Sequence, residues 1–451
     1  MKKLFGTDGV RGLANGLLTP ELALKLGMCG AYVLTSEVHK PRIIVASDTR
    51  KSKDMLACAL IAGICSVGGD VLYAGVIPTP ALPFLTRKYC ADAAVMISAS
   101  HNPMQDNGIK WFNNAGFKLS DELEAEIEAL MALDHPFERP TGENIGKITE
   151  LKRSKADYIE FLCSTCEYDL NGMRIALDCA NGAASYVAPK VFKKLNAQVS
   201  VCNNKPNGCN INRACGSTNI ENLQRFVQEC EADIGFAFDG DADRVIACDE
   251  HGNIVDGDKI MGLCAIALSK AGRLAKNTLV CTVMSNIGLK LKLKELGINT
   301  VETSVGDRYV LEEMRLNGYN LGGEQSGHII FSDYNTTGDG LLSAIQVLNV
   351  VKAENKPLSE LAEDIPIYPQ ILLNVEVDAN SKKAAMNDAE MQKRIQKTEA
   401  ELKGSGRVLV RESGTEPLIR IMLEGVDIND IRNRALYIAE PLVNAHNGKI
   451  R

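Results

Sequence analysis

The sequence has no excess of basic side chains. Its 451 residues include 50 Lys and Arg against 57 Asp and Glu, which gives a formal net charge of −7 at pH 7. A protein that binds the phosphate backbone of DNA or RNA needs a basic surface, so we expect no nucleic-acid partner. A small anionic ligand is not excluded, because local arginines and backbone amides can override a weak overall field.

The sequence also lacks long hydrophobic runs. Lys2 and Lys3 are followed within a few residues by Gly6 and Asp8, not by the apolar stretch of a signal peptide. No segment is long enough for a membrane helix. The 14 cysteines are scattered, mostly within apolar segments. We therefore expect reduced thiols, a cytoplasmic location and no contact with a membrane.

What the sequence does contain is one pattern that occurs three times. An apolar, strand-like segment ends in a polar turn and is followed by a helix-like segment and a second strand. The three occurrences begin near Arg42, Met173 and Asn277. Parallel strands need such a crossover, and this alternation is typical of sheets covered on both faces. Because the chain is too long for one hydrophobic core, we predict three related α/β domains in tandem, with mixed sheets.

The last part of the chain follows a different order. "PQILLNVEVD" alternates apolar and polar residues, and a helical stretch, "GRVLVRES", "LIRIMLEG" and a closing helix follow. That order predicts an antiparallel sheet with helices, an α+β domain. A proline-containing linker begins at Asp364. The predicted domains are residues 1–150, 151–255, 256–368 and 369–451.

The stretch "MISASHNP" places a serine at the tip of a predicted buried strand. Ser100 follows the apolar run from Ala91 to Ile97, and His101 and Pro103 come directly behind it. A serine raised at a strand tip is how several enzyme classes present a nucleophile. The alternative is that this serine caps the start of a helix.

The stretch "FAFDGDADRV" carries three acids, Asp239, Asp241 and Asp243, that alternate with small residues. Three hard oxygen ligands without His or Cys favour Mg²⁺ or Ca²⁺ over zinc. An EF-hand is a poor fit, because Arg244 stands where the sharp turn of that loop needs glycine. The flanking segments are also strand-like. We predict a catalytic Mg²⁺ at a strand end.

Two further loops combine glycines with polar side chains. "LGGEQSGHII" offers a carboxylate, a hydroxyl and an imidazole, which suits a polyol; the alternative is a plain glycine-rich turn. "RESGTEPLIR" combines guanidinium and hydroxyl groups at a small-residue turn, which suits a phosphate; the alternative is a solvated charged turn. The candidate residues are Glu324, Ser326 and His328 in the first loop, and Arg411, Ser413, Gly414, Thr415 and Arg420 in the second.

In this order the four loops resemble those of the α-D-phosphohexomutase superfamily, and the resemblance covers essentially the whole chain. It includes "FGTDGVRG", "SASHNPMQDNGIKWF", "VGDRYV" and "GGEQSGH". The resemblance implies four domains around a central cleft, which supply a phosphoserine loop, a metal loop, a sugar loop and a phosphate loop in turn. Gln325 is similar to the branch that acts on amino sugars, whereas relatives acting on mannose and glucose phosphates typically carry Met there.

The resemblance implies that glucosamine 6-phosphate is converted to glucosamine 1-phosphate, a step toward UDP-N-acetylglucosamine and cell-wall precursors. A hexosamine 1,6-bisphosphate would be the bound intermediate, and a hexose 1,6-bisphosphate the activator. Ser100 would carry the phosphoryl group, first placed there by an activating kinase or a bisphosphate donor. One Mg²⁺ per subunit would bind Ser100, Asp239, Asp241 and Asp243. A homodimer is left open.

The remaining roles follow the same resemblance. Arg11, His101 and Arg244 would hold the phosphoryl oxygens. Glu324 and Ser326 would hold the sugar hydroxyls, and the phosphate loop would grip the phosphate that is not reacting. A further sugar-facing loop would comprise Thr303, Gly306, Asp307 and Arg308.

The general base is not settled by the sequence. The pKa of Lys110 would have to fall from about 10.4 to about 7–8, whereas His328 starts near 6.5. Position in the chain and family analogy favour Lys110, and energy favours His328. We favour Lys110, and a pair acting in opposite half-reactions stays open. Three other functions stay open: a mutase for mannose or glucose phosphates, a metal-dependent phosphatase with a serine nucleophile, and a non-catalytic sensor of sugar phosphates.

Overall fold

The computed structural model describes residues 4–6, 8–35, 40–133, 138–378, 382–413 and 417–451. The predicted phosphate-loop residues Gly414 and Thr415 lie outside these ranges. The chain divides into two compact units, Met1–Met284 with Ile298–Glu363, and Ser285–Gly297 with Asp364–Arg451. Within the described ranges, no helix is both long and apolar enough to cross a membrane.

The first sheet has six strands in the order β1-β5-β4-β2-β3-β6. β2 pairs in parallel with β3 and β4, and β3 with β6, whereas β5 runs antiparallel to β4 and β1. The apolar segments "RIIVAS" and "AAVMI" are almost entirely buried because helices cover this sheet. Strands β1–β6 are Val10–Leu13, Arg42–Ser47, Asp70–Val76, Ala93–Ile97, Asp106–Asn113 and Ile148–Glu150, and helices α1–α4 are Pro20–Thr35, Lys53–Ser66, Ala81–Lys88 and Asp121–Met131.

The second sheet repeats the plan with five strands in the order β11-β10-β9-β7-β8. β7 is parallel to β8 and β9, while β10 is antiparallel to β9 and β11. The strands at the metal loop are therefore β9 and β10, which rules out an EF-hand. Strands β7–β11 are Arg174–Asp178, Gln198–Cys202, Ile234–Phe238, Val245–Asp249 and Ile254–Val255, and helices α5–α7 are Ser154–Ser164, Ala184–Lys194 and Glu221–Glu229.

The third sheet has four strands in the order β13-β12-β14-β15, with β12 parallel to β13 and β14. Strands β12–β15 are Thr278–Thr282, Asn299–Thr303, Leu321–Gly323 and Ile329–Phe331, and helices α8–α12 are Gly257–Lys270, Ile287–Glu295, Asp307–Asn317, Gly340–Glu354 and Leu358–Glu363. The fourth sheet is antiparallel throughout, in the order β17-β18-β16-β19. Strands β16–β19 are Gln370–Glu376, Gly406–Glu412, Leu418–Gly425 and Lys449–Ile450, and helices α13–α15 are Lys382–Met386, Ala389–Glu401 and Ile428–Ala445.

The predicted fold class, three α/β sheets followed by an α+β domain, is confirmed. One element is grouped in an unexpected way, because helix α9 belongs to the second unit although its flanking strands belong to the first. The amide of Ile287 donates to the buried Glu424 carboxylate at 3.0 Å, and Arg407 donates to the Ser285 carbonyl at 2.7 Å. The predicted domain boundaries stay a prediction.

The carboxyl edges of the first two sheets face each other. The serine loop follows β4 and the metal loop follows β9, so parallel pairing brings both loops to these edges. The hydroxyl of Thr49, after β2, donates to the carbonyl of Asn181, after β7, at 2.6 Å. The amide of Thr79 donates to the carbonyl of Asp241 at 2.9 Å. This arrangement places the predicted nucleophile and the predicted metal ligands side by side.

A buried carboxyl group joins a helix of the second sheet to a helix of the third. Asp339 caps helix α11 by accepting from the amide of Leu342 at 3.0 Å, and it accepts from the Tyr158 hydroxyl of α5 at 2.7 Å. Asn335 donates to Asp339 at 3.3 Å and to the carbonyl of Pro80 at 2.9 Å. Burial raises the pKa of Asp339 to about 6, against hydrogen bonds that lower it.

We expect Asp339→Asn to change how stability depends on pH. The raised pKa means that the folded protein keeps a proton that the unfolded chain releases, so this stabilisation is present at low pH and is lost as pH rises toward about 6. Asparagine keeps the cap oxygen but does not titrate. Urea unfolding should show the wild-type free energy, minus that of the variant, falling by about 2 kcal/mol between about pH 4 and about pH 7. A difference that stays flat would contradict the assignment.

Candidate active site

The serine loop is held in an unusual backbone conformation. Ser100 has a φ of +50°, in the left-handed region, and is 1% exposed. Its amide donates to the Ser98 hydroxyl at 2.9 Å, and Ser98 donates to the Asp48 carboxylate at 2.7 Å. No helix begins here, because the loop runs from β4 directly into β5. The helix-cap alternative for Ser100 is therefore wrong.

Arg50 holds the serine loop in place through hydrogen bonds. Its guanidinium is buried and donates to the Asp48 carboxylate at 2.9 Å and to the carbonyls of Ser100 at 2.9 Å and Asn102 at 2.8 Å. The side-chain amide of Asn212, from the second sheet, donates to the same Ser100 carbonyl at 2.8 Å. Donors from both sheets thus converge on one peptide group. Sequence analysis did not identify Arg50 or Asn212, because nothing in their neighbourhoods indicates this contact.

The three aspartates after β9 form a compact acidic cluster. One carboxylate oxygen from each of Asp239, Asp241 and Asp243 lies within 4.8 Å of the others, and all three residues are buried. The Ser100 hydroxyl donates to Asp239 at 2.5 Å. Thr79 donates to Asp241 at 2.6 Å and thereby orients it. This is the arrangement predicted for a metal site with a serine beside it.

The cluster fits a hard divalent cation. The Oδ1 atoms of Asp241 and Asp243 are buried and have no hydrogen-bond partner within the described part of the chain. Burial and the charges of its two neighbours raise the pKa of Asp239 well above its ordinary value. Unpaired carboxylate oxygens that repel one another are the ligand set that Mg²⁺ or Ca²⁺ would satisfy.

Lysines neutralise part of this charge. The Lys110 ammonium, 1% exposed, lies 3.1 Å from Asp241 and 2.9 Å from Asp8. Burial acts to lower the pKa of Lys110, but the charges of Asp241 and Asp8 outweigh it and raise the value. Lys118 lies 2.5 Å from both Asp8 and Asp307. Asp8 stands in the quoted "FGTDGVRG" but was not predicted as a site residue, and "AGFKLS" gives no signal for Lys118.

A cavity of about 720 Å³ opens beside the cluster within the first unit. Four of the predicted catalytic side chains line it, namely Arg11, His101, Arg244 and His328. His101 Nδ1 lies 3.4 Å from the Ser100 hydroxyl oxygen. Burial and the nearby Arg244 and Arg11 lower the pKa of His101. The Nε atoms of Arg11 and Arg244 are buried and have no hydrogen-bond partner among the described residues.

Residues that follow strands of the third sheet also line the cavity. Gly306, Asp307, Glu324 and Ser326 line it. The amide of Gly306, at φ +132°, donates to the Glu324 carboxylate at 3.0 Å and so joins two predicted sugar loops. His328 Nε2 accepts from the amide of Gly338 at 3.1 Å, and His328 Nδ1 lies 3.6 Å from Asp243.

Two predicted sugar-facing residues do not line this cavity. Arg308 is one position beyond Asp307 on α10, and its guanidinium contacts Asp121 at 3.0 Å and Glu312 at 3.4 Å. The Thr303 hydroxyl donates to the carbonyl of Ser304 at 3.0 Å. Lys110 also does not line the cavity. Its ammonium group is buried against Asp241 and Asp8.

The described part of the phosphate loop lies in the second unit. Arg411 and Arg420 are directly opposite each other in the antiparallel register of β17 and β18. Ser413 is 5% exposed, and its amide donates to the carbonyl of Leu418 at 2.9 Å, which closes the hairpin. Like charges directly opposite each other destabilise a strand pair, and a bound phosphate would offset that repulsion.

Family models match nearly the whole chain in four consecutive parts. Phosphoglucomutase/phosphomannomutase alpha/beta/alpha domains I, II and III match residues 2–135, 156–252 and 256–368, and the C-terminal domain of the same family matches residues 372–440. The order of these domains is the order of the four sheets.

Individual proteins give the same picture. The chain is 55% identical over 440 residues to a phosphoglucosamine mutase of Thermoanaerobacter sp., covering 98% of each chain. It is also 55% identical over 443 residues to that of Acetivibrio thermocellus, again covering 98% of each chain. A phosphoglucomutase/phosphomannomutase family protein from Burkholderia thailandensis has a similar fold, with a TM-score of 0.81, 23% identity and 98% of each chain covered.

We expect the acidic cluster to bind one divalent cation. Asp241→Asn removes charge from a cluster in which the Oδ1 atoms of Asp241 and Asp243 have no hydrogen-bond partner among the described residues, so Mg²⁺ affinity should fall by at least the roughly 10–100-fold seen for weaker perturbations of metal sites. Isothermal titration with Mg²⁺ on both proteins measures this. The control is Asp249→Asn, a buried aspartate at the other end of β10, which should leave the affinity unchanged. Equal losses in both variants would argue against a specific site.

Proposed function

The chain belongs to the α-D-phosphohexomutase superfamily, and we propose that it interconverts glucosamine 6-phosphate and glucosamine 1-phosphate through a phosphoserine at Ser100. The observation that carries this proposal is the 2.5 Å contact between the Ser100 hydroxyl and Asp239, next to His101 and Asp243, which line a cavity of about 720 Å³. The 55% identity with proteins named phosphoglucosamine mutase supports the amino-sugar substrate.

The proposed reaction is two phosphoryl transfers in opposite directions. In the first, the bond between phosphorus and the Ser100 oxygen breaks while a bond to a sugar hydroxyl oxygen forms, and the hydroxyl proton passes to a base. The resulting hexosamine 1,6-bisphosphate turns over. The bond between its other phosphorus and the sugar oxygen then breaks while that phosphorus bonds to the Ser100 oxygen, and the base returns its proton to the sugar oxygen. The transition state of such transfers is loose, so the protein chiefly positions groups and neutralises charge.

The charged groups at the cavity can position the phosphoryl group and neutralise its charge. Mg²⁺ held by Asp239, Asp241, Asp243 and the group on Ser100 would supply positive charge next to the phosphoryl oxygens. Arg11, His101 and Arg244 would hold those oxygens; the unpartnered Nε atoms of the two arginines support this role. Glu324 and Ser326 would bind sugar hydroxyls, with Gly306 and Asp307 beside them on the same wall.

The substrate phosphate would be bound by the hairpin of the second unit, through Arg411, Ser413, Gly414, Thr415 and Arg420. The direct opposition of Arg411 and Arg420 supports this role. Thr303 and Arg308 stay weaker candidates for sugar binding. Activation by a kinase or a bisphosphate donor and a cytoplasmic location remain part of the proposal, and a homodimer stays open. All 14 cysteines are free thiols, which agrees with a reducing compartment.

Ser100→Ala should abolish mutase turnover, because it removes the hydroxyl that contacts Asp239 of the acidic cluster. Mass spectrometry of the intact wild-type protein should find one phosphate, mapped to the peptide containing Ser100 and absent from the variant. Ser66→Ala, in the last turn of α2, should keep both activity and phosphate.

Glucosamine 6-phosphate should be converted faster than glucose 6-phosphate or mannose 6-phosphate. Steady release of inorganic phosphate would indicate a phosphatase instead.

His328 is the better placed of the two candidate bases. It lines the cavity, whereas Lys110 does not and is held by Asp8 and Asp241. We therefore propose that His328 takes the proton of the sugar hydroxyl on Nε2, in place of the hydrogen bond that this atom accepts from the amide of Gly338, and that Lys110 neutralises Asp8 and Asp241.

His328→Ala should lower turnover by roughly 10²–10⁴-fold, and added imidazole should restore part of it, because a free base can enter the space left in the wall. Lys110→Ala should also lose activity, but neither imidazole nor a small alkylamine should restore it. Its loss leaves Asp8 and Asp241 short of a counter-charge, and breaking a buried pair costs about 3–5 kcal/mol of stability. Rescue of Lys110→Ala by an alkylamine, with no rescue of His328→Ala, would make Lys110 the base.

A further inference from the structure

A second cavity lies at the same sheet edges as the active site but shares no residue with the first. Its volume is about 530 Å³. The wall comes from the carboxyl ends of four strands, β2, β3, β7 and β8, and the segments after them, and it includes Lys51, Val76, Gly182 and Gly208. In open α/β sheets, ligands bind in crevices outside the carboxyl ends of strands, and this volume is typical of small-molecule sites. The proposed reaction does not use this cavity.

The wall carries positive charge that the protein does not balance. Lys51, Lys53 and Lys155 line the cavity, and the one carboxylate on the wall, Asp54, pairs with Lys53. Within the described ranges, neither Lys51 nor Lys155 has a carboxylate within ion-pair distance. In a chain with a net charge of −7, such a cluster is available to an external anion.

Helix termini and polar groups add to this field. Helix α2 begins at Lys53 and helix α6 at Ala184, so the positive ends of two helix dipoles lie at the wall. Tyr186 also lines the cavity, with the ammonium groups of Lys190 at 3.7 Å and Lys155 at 4.9 Å from its ring centroid. The hydroxyl oxygen of Ser185 is buried and has no hydrogen-bond partner among the described residues.

We propose that this second cavity binds a small polyanion, a phosphorylated metabolite that carries at least two phosphoryl groups. A neutral ligand would leave Lys51 and Lys155 without a counter-charge. The ligand contacts the wall that includes Arg50, whose guanidinium holds the carbonyls of Ser100 and Asn102. The site therefore lies one side chain away from the loop that carries the nucleophile.

Inorganic pyrophosphate is the probe for this site, titrated into the full chain by calorimetry. Lys51→Ala with Lys155→Ala should weaken its binding at least ten-fold. The matched control, Lys152→Ala with Lys193→Ala, changes two exposed lysines outside the wall and should leave the affinity unchanged. Equal affinity in both double variants would overturn the proposal, since pyrophosphate would then bind elsewhere, for example in the first cavity.

Lysine acetylation followed by peptide mass spectrometry locates the binding directly. Pyrophosphate should slow the modification of Lys51 and Lys155 but not of Lys152; no protection at the first two residues would overturn the proposal. Fructose 1,6-bisphosphate and ADP, titrated in the same way, distinguish a sugar bisphosphate from a nucleotide as the natural form. The Lys51/Lys155 variant should convert glucosamine 6-phosphate at the wild-type rate without pyrophosphate, so the outcome is independent of the proposed mutase activity.

Discussion

Three carboxylates buried within 4.8 Å of one another are the constraint on which this architecture depends. Like charges in a buried site repel strongly and are expensive to desolvate, so the surrounding chain must supply cations or neutralise the group. Basic and acidic side chains therefore alternate here. Lys110 lies between Asp241 and Asp8, and Lys118 lies between Asp8 and Asp307. A divalent ion bound by the Oδ1 atoms of Asp241 and Asp243, which have no hydrogen-bond partner among the described residues, would neutralise the remaining negative charge.

The same constraint explains how the first three sheets are joined. A metal loop on the second sheet is useful only if the nucleophile on the first is held against it. That alignment is made by donors that cross between the sheets, such as Asn212 to Ser100 and Thr79 to Asp241. The third sheet adds His328 next to Asp243. Catalytic geometry of this kind needs supporting groups whose own positions are fixed by packing and hydrogen bonds.

Much of this could be predicted from the sequence, because strand–turn–helix patterns and clustered polar loops are local signals. The strands before Ser100 and Asp239 were predicted for that reason. Arg50 and Lys118 were not, since their partners lie far away in the chain and their own neighbourhoods are unremarkable. Arg308 was expected beside Asp307 because the two are adjacent. On a helix, however, adjacent residues point about 100° apart, and Arg308 contacts Asp121 instead.

Arg50 has a consequence of its own. Arg50 lines the second cavity, and its buried guanidinium donates to the carbonyls of Ser100 and Asn102 in the serine loop. A ligand in the second cavity that displaced this side chain would also disturb the Ser100 loop, and by thermodynamic reciprocity a ligand bound at that loop would then change the affinity of the second cavity by the same factor. Binding in the second cavity and binding in the first cavity would then be linked equilibria, connected through the Arg50 side chain.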